Sequence, residues 1–266
     1  MRQRSDLPSV LEVEVTTHGR LDDAAIYARA KIGELGPYTH EPVLHAAVKL
    51  SEHTDRAVAR RVVAQANLDV NGRLIRAQVD ATTAHEAIDL LQARLLRRLE
   101  RSAKHWEARR GGVPRVDGEW RHESQRQDRP KYFPRPESER RIMRHKSYSL
   151  PTCTAEEAAF EMDLLDYDFH LFTEEGTNQD SVLYRGKQGE HRLAQVNPAS
   201  ADKLSPFELP LTISPQPAPS LSVKQAIDRI GLLGLPFLFF VDTSRGRGSV
   251  LYHRYDGHYG LITPAC

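Results

Sequence analysis

The sequence predicts an α+β protein: an N-terminal β-α-β-β-β-α domain with helices on one face of a four-stranded sheet, then two small helix-plus-β-hairpin repeat units. Three observations carry that prediction. Apolar residues over 11–110 switch between a two-residue and a roughly 3.6-residue period. Asn71-Gly72, a strong two-residue hairpin signal, stands midway between two alternating runs. Residues 149–196 match 217–264 without a gap.

In chain order, Leu11, Val13 and Val15 alternate with Glu12 and Glu14 as a half-buried strand. Leu21, Ala25, Ala28, Ile32 and Leu35 then share one helical face, which Gly36-Pro37 closes. Leu44, Ala46, Val48 and Leu50 alternate as a second strand. Folding the next stretch about Asn71-Gly72 pairs Leu68 with Ile75, Ala66 with Ala77, Ala64 with Val79 and Val62 with Ala81, all apolar. The other face pairs Asn67 with Arg76 and Gln65 with Gln78, so one side belongs to a core and the other is polar. Residues 84–110 read as a long helix with Ala84, Ile88, Leu91, Leu95 and Leu99 inward. This domain is expected over 1–112, followed by a flexible basic linker over 113–141 that is rich in Gly, Pro, Arg and Glu.

The gapless match contains twelve identities in 48 positions, among them Phe169/Phe237, Phe172/Phe240, Tyr184/Tyr252 and Gly189/Gly257. Thr154 with Glu157 and Ser222 with Gln225 form capping-box patterns at the same offset, so each copy opens a short helix at the same place. A duplication is predicted, with copies over 142–197 and 219–266 and a Pro/Ser-rich spacer over 198–218. A module of this size buries too little surface to be comfortable alone and has no disulfide to help it. The run Leu235-Pro-Phe-Leu-Phe-Phe-Val241 is apolar on both faces and therefore expects cover on both sides. The sister copy is the nearest cover, and the expected pairing surface comprises Phe169, Leu171, Phe172, Val182, Tyr184, Phe237, Phe239, Phe240, Val250 and Tyr252.

Charge divides the chain. Residues 1–148 hold 28 basic and 21 acidic side chains, and 149–266 hold 9 and 15. A basic half joined to an acidic half points to a polyanion for the first and a different task for the second. Arg94, Arg97, Arg98, Arg101 and Lys104 recur at spacings of three and four along the long helix; with Arg29, Lys31, Arg109 and Arg110 they are the candidate RNA contacts. Only Cys153 and Cys266 occur, so a reducing cytoplasm is expected, and the longest apolar run, Ile230 to Val241, is too short to span a bilayer. No catalytic constellation is visible. Arg245-Gly-Arg-Gly248 reads as a hairpin turn rather than a phosphate loop, and His253 and His258 lack companions at metal-ligand spacing. The expected protein is not an enzyme, with no metal, no cofactor and no small-molecule substrate. Two function classes fit: an RNA-binding protein, and a regulator such as a transcription modulator whose acidic half binds protein and whose basic half binds DNA.

A resemblance separates them. The N-terminal element order, with Glu86-Ala-Ile-Asp89 opening the basic helix, resembles the ribosome hibernation promoting factors. Arg144-His-Lys146, Glu156-Glu-Ala158, Met162-Asp-Leu-Leu165, Asp168-Phe169, Val182-Leu-Tyr-Arg185 and Asp256-Gly-His-Tyr-Gly-Leu-Ile262 are similar to the C-terminal domain of their long form. The resemblance implies an N-terminal domain seated on the small ribosomal subunit in the mRNA and tRNA channel, with the basic helix against ribosomal RNA. It also implies a C-terminal self-association module. The family's long form carries one such module and this chain carries two, so pairing within one chain, and inhibition of single ribosomes, is the expectation. Glu100 interrupts the basic row, and His85 stands where the family usually has an aromatic residue.

Overall fold

The computed structural model describes residues 11–19, 21–39, 41–52, 60–111, 135–186 and 189–265, with side chains described for these except Asp22 and 104–111. The chain divides into two compact units, each with its own interior. The N-terminal unit runs β1 (Glu14–His18), α1 (Asp22–Gly33), β2 (Val43–Glu52), β3 (Val62–Val70), β4 (Arg73–Ala81) and α2 (Ala84–Gly111). Its sheet has the order β1-β2-β3-β4, with β1 parallel to β2 across the α1 crossover and the other pairs antiparallel.

Every hairpin pair expected from the sequence occurs, Leu68 against Ile75 and Val62 against Ala81 included. Asn71 and Gly72 both take positive φ, 51° and 84°, as a type I′ turn requires. Ala28, Ile32 and Leu35 of the first helical stretch and Ala87, Ile88, Leu91 and Leu95 of α2 are buried against Ala46, Val48, Ala64, Leu68, Ile75 and Ala77. Leu44 departs from expectation. The β2–β3 register shifts between Val43 and His45, which lifts Leu44 out of the alternation and leaves it 64 % exposed. In the linker expected over 113–141, residues 113–134 lie outside the described set, while Glu137–Glu139 forms a single 3-10 turn.

The C-terminal unit holds both copies. The first contributes β5 (Ile142–Tyr148), β6 (Thr152–Cys153), α3 (Ala155–Leu164), β7 (Phe169–Glu174), β8 (Gln179–Arg185) and β9 (His191–Gln195). Then come β10 (Leu211–Ile213), β11 (Ser220–Leu221), α4 (Val223–Leu233), β12 (Phe237–Asp242), β13 (Arg247–His253) and β14 (Tyr259–Pro264). Both capping boxes close. The Thr154 N–H donates to Glu157 Oε2 and the Glu157 N–H to Thr154 Oγ1, both at 3.2 Å. Ser222 and Gln225 repeat the exchange at 2.9 and 3.3 Å.

Two five-stranded sheets result, ordered β10-β9-β8-β7-β6 and β11-β12-β13-β14-β5. Each is richer than a hairpin: an antiparallel meander with a parallel strand on either edge. The copies also trade strands. β5 opens the first copy in sequence but pairs with β14 of the second; β10, inside the stretch read as spacer, pairs with β9 of the first. The two exchanges keep one register, since Arg144 faces Gly260 and Thr212 faces Arg192 at the same offset. Each borrowed strand covers an edge whose N–H and C=O groups would otherwise be open.

The remaining spacer is not a free tether. Leu204 and Leu209 are buried in the first copy's core with Phe172, Leu183 and Leu193. Glu174 anchors this wrap by accepting the Ser205 N–H at 2.9 Å and the Thr177 N–H at 2.8 Å. Burial opposes its charge, but these bonds outweigh it and hold its pKa below the ordinary value. Gly176 is required there, because a Cβ would sit 2.5 Å from the Ser205 nitrogen.

Two histidines set an acid limit. Burial lowers His191 and His253 from 6.5 to about 4, helped by the cations of Arg185 and Arg140 respectively. Above pH ~6.5 both are neutral folded or unfolded. As pH falls from there toward ~4, the unfolded chain takes up protons that the folded chain refuses, so stability declines across that window. The thermal midpoint is expected to fall from pH 7 to 4, and His253→Gln to flatten the slope; a wild-type midpoint independent of pH there would refute the assignment.

Candidate functional site

The N-terminal candidate is α2. Its Ile88, Leu91, Leu95 and Leu99 face the sheet, which turns the row Arg94, Arg97, Arg98 and Arg101 onto one flank at 100° per residue. Arg97 and Arg101 are exposed, whereas Arg94 and Arg98 are half-buried and donate from Nη2 to Asp166 Oδ1 at 2.7 and 2.6 Å. Lys104, Arg109 and Arg110 continue the same helix, with side chains outside the described set.

Helix α1 meets α2 elsewhere. Tyr27 Oη donates to Asp89 Oδ1 at 2.7 Å, Gln92 Nε2 donates to the Lys31 carbonyl at 2.8 Å, and the Tyr27 and His85 rings lie 4.6 Å apart. His85, Asp89 and Gln92 occupy the flank of α2 away from the arginines, so Arg29 and Lys31 do not extend that row. Arg29 is exposed, and Lys31 Nζ lies 5.7 Å from the Tyr27 ring centroid. The bond to Asp89 raises the Tyr27 pKa and keeps the hydroxyl protonated.

The second candidate is the face between the two copies. Leu171, Val182, Phe239, Val250 and Ile262 form one buried cluster, with Phe169, Tyr184, Phe237 and Tyr252 packed on it. Matched residues meet across a local twofold. The Phe169 and Phe237 rings lie 4.8 Å apart, and Tyr184–Phe237 and Phe169–Tyr252 stand at 5.5 and 5.6 Å. Offset and edge contacts of this kind add to burial.

Phe172 and Phe240, expected on this surface, do not join it. Each alternates to the opposite face of its strand and fills its own copy's core, Phe172 beside Met162 and Leu193, Phe240 beside Ile230 and Leu261. His170 also faces inward and contacts Glu161 at 3.2 Å, which lowers the pKa of that carboxylate.

A polar contact that the periodicity did not single out crosses the same face. Arg247 donates from Nε and Nη2 to the two Asp180 oxygens, both at 2.8 Å, and the Gly248 N–H donates to Asp180 Oδ2 at 2.8 Å. Arg245 and Gly246 lie in the β12–β13 turn, whereas Arg247 and Gly248 already belong to β13. The available signal was the gapless match itself, which sets buried Asp180 opposite a glycine in the sister copy. Among the described residues no group of three His, Cys, Asp or Glu side chains could hold a metal ion, and no helix is long and apolar enough to cross a membrane.

Comparison with known proteins agrees with the duplication. The family model described as "Sigma 54 modulation/S30EA ribosomal protein C terminus" matches twice, over 137–193 and 215–261. The "Dormancy associated translation inhibitor" of Mycobacterium tuberculosis, in strains CDC 1551 and H37Rv, is 36% identical over 206 residues, 75% of this chain and 70% of that protein. Among solved structures, the N-terminal domain of Thermus thermophilus Protein Y is 22% identical and covers 35% of this chain and 99% of its own, at a TM-score of 0.29. A ribosomal subunit interface protein from Coxiella burnetii is 15% identical, covering 37% and 99%, at 0.27. With a relative this similar over most of both chains and the C-terminal family matched in both copies, the chain belongs to the ribosome-associated translation inhibitors, the long-form ribosome hibernation promoting factors, with the C-terminal domain duplicated.

Proposed function

We propose that this chain inhibits translation by occupying the small ribosomal subunit, with the N-terminal unit in the mRNA and tRNA channel and α2 against ribosomal RNA. The observation that carries the proposal is the row Arg94, Arg97, Arg98 and Arg101 on one flank of a helix whose other side is committed to the core, with Arg97 and Arg101 exposed and Arg94 and Arg98 held by Asp166. Guanidinium forks suit phosphate oxygens, and a rigid helix presents them at fixed spacing. The inhibitor acts by occupancy and carries out no chemistry. Its seat is the ribosome in the cytoplasm, and it uses no cofactor.

The C-terminal unit supports action on single ribosomes. The face that would recruit a second chain is covered by the sister copy, and two exchanged strands bind the copies further. Co-sedimentation of the purified chain with small subunits, at low and high salt, tests the first part. Retention at low salt and steep loss at high salt are expected, about 0.7–0.9 decades of affinity per decade of salt for each phosphate neutralised. Binding to duplex DNA but not to small subunits would favour a transcription modulator. Sucrose gradients of whole ribosomes test the second part: single particles are expected, and a dominant peak of ribosome pairs would refute pairing within one chain.

A further inference from the structure

Several matched positions differ on the face the copies share, Leu150/Ala218 and Ala194/Ile262 among them; three others, Leu171/Phe239, Gln179/Arg247 and Asp180/Gly248, bear on the Asp180 carboxylate. Asp180 is 7 % exposed, and the second copy supplies three hydrogen bonds to its carboxylate. It fits there because position 248 has no side chain. A Cβ on Gly248 would lie 2.7 Å from the Asp180 Cβ and 2.9 Å from Phe239 Cε2. The large ring thus accompanies the glycine in one copy, and the smaller Leu171 accompanies the aspartate in the other.

We infer that these three positions make the pairing heterotypic: a first copy accepts a second copy and rejects another first copy. In a first-with-first contact of the same geometry, Asp180 meets Asp180 with overlapping Cβ atoms. Two carboxylates are then buried together, with Gln179 where Arg247 should stand. Buried like charges without a counter-charge are strongly disfavoured. In a second-with-second contact, two Arg247 side chains converge with no carboxylate between them, and each Gly248 leaves a gap. The partner selected is therefore the sister copy, and two chains meeting through like copies are excluded by repulsion built into the wrong pairing. The inference deepens the proposed action on single ribosomes, which rests on pairing within one chain. Its test needs no ribosome, so either can fail without the other.

The test uses the full chain in three forms. Phe239→Leu with Arg247→Gln and Gly248→Asp gives both copies the first copy's residues. Leu171→Phe with Gln179→Arg and Asp180→Gly gives both the second's. The third form carries all six changes and exchanges the two sets across the local twofold. Each half-exchange is expected to lower the thermal midpoint of the C-terminal unit by about 5 °C or more, or to abolish its transition. The six-site form is expected to unfold above both. Half-exchanges that unfold with wild type, or a six-site form that unfolds no higher than the halves, would overturn the inference.

Discussion

Replacing Arg97 and Arg101 together with glutamate is expected to release the chain from small ribosomal subunits while leaving its fold intact. Both side chains are exposed on α2, away from the Leu91, Leu95 and Leu99 face that holds the helix to the sheet. The change therefore leaves the N-terminal core untouched. Each lost phosphate contact should remove about 0.7–0.9 from the slope of log affinity against log salt, and the new carboxylates add repulsion from the same polyanion. Affinity is expected to drop by at least roughly tenfold at low salt, with the slope shallower by about 1.5. Filter binding or co-sedimentation at several salt concentrations, with circular dichroism as the folding control, reads both quantities. Wild-type retention by the double variant would remove α2 from the proposed contact.

Leu171→Asp should have the largest effect in the other unit. Leu171 is 1 % exposed at the centre of the cluster formed by both copies, packed with Val182, Phe239 and Val250. An unpaired carboxylate there loses the apolar contact and must either stay desolvated or open the face to water, at a cost on the order of 3 kcal/mol or more. That is a large share of what a unit of this size has in reserve. The C-terminal transition in calorimetry should broaden and move down, while the N-terminal transition and small-subunit binding persist, because the N-terminal core is built from other residues. An unchanged C-terminal midpoint would mean that the face between the copies contributes little.

Local rules were enough for the regular parts. A two-residue alternation broken at Asn71-Gly72 dictates the β3–β4 register, because any slip would turn Leu68 and Ile75 to water. The arginine row was legible for the same kind of reason: spacings of three and four on a helix with a clear apolar face leave those side chains one flank. The capping boxes and the repeat offset placed α3 and α4. The strand face of Phe172 and Phe240 was harder. Phe240 has apolar neighbours on both sides, Phe239 and Val241, and Phe172 follows the apolar Leu171, so periodicity could not say which side met the sister copy and which met the helix.

By itself, then, the sequence determined the local periods, the turn and capping chemistry, the duplication and the division of charge, since each depends on residues close together along the chain. The tertiary structure alone decided that β5 and β10 cross to the opposite copy, that Leu204 and Leu209 tie the spacer into the first core, and that Asp180 is received by Arg247 and Gly248. Those outcomes depend on which open strand edge or buried charge lies nearest in space. Residues dozens of positions apart settle that, and no short-range pattern encodes it.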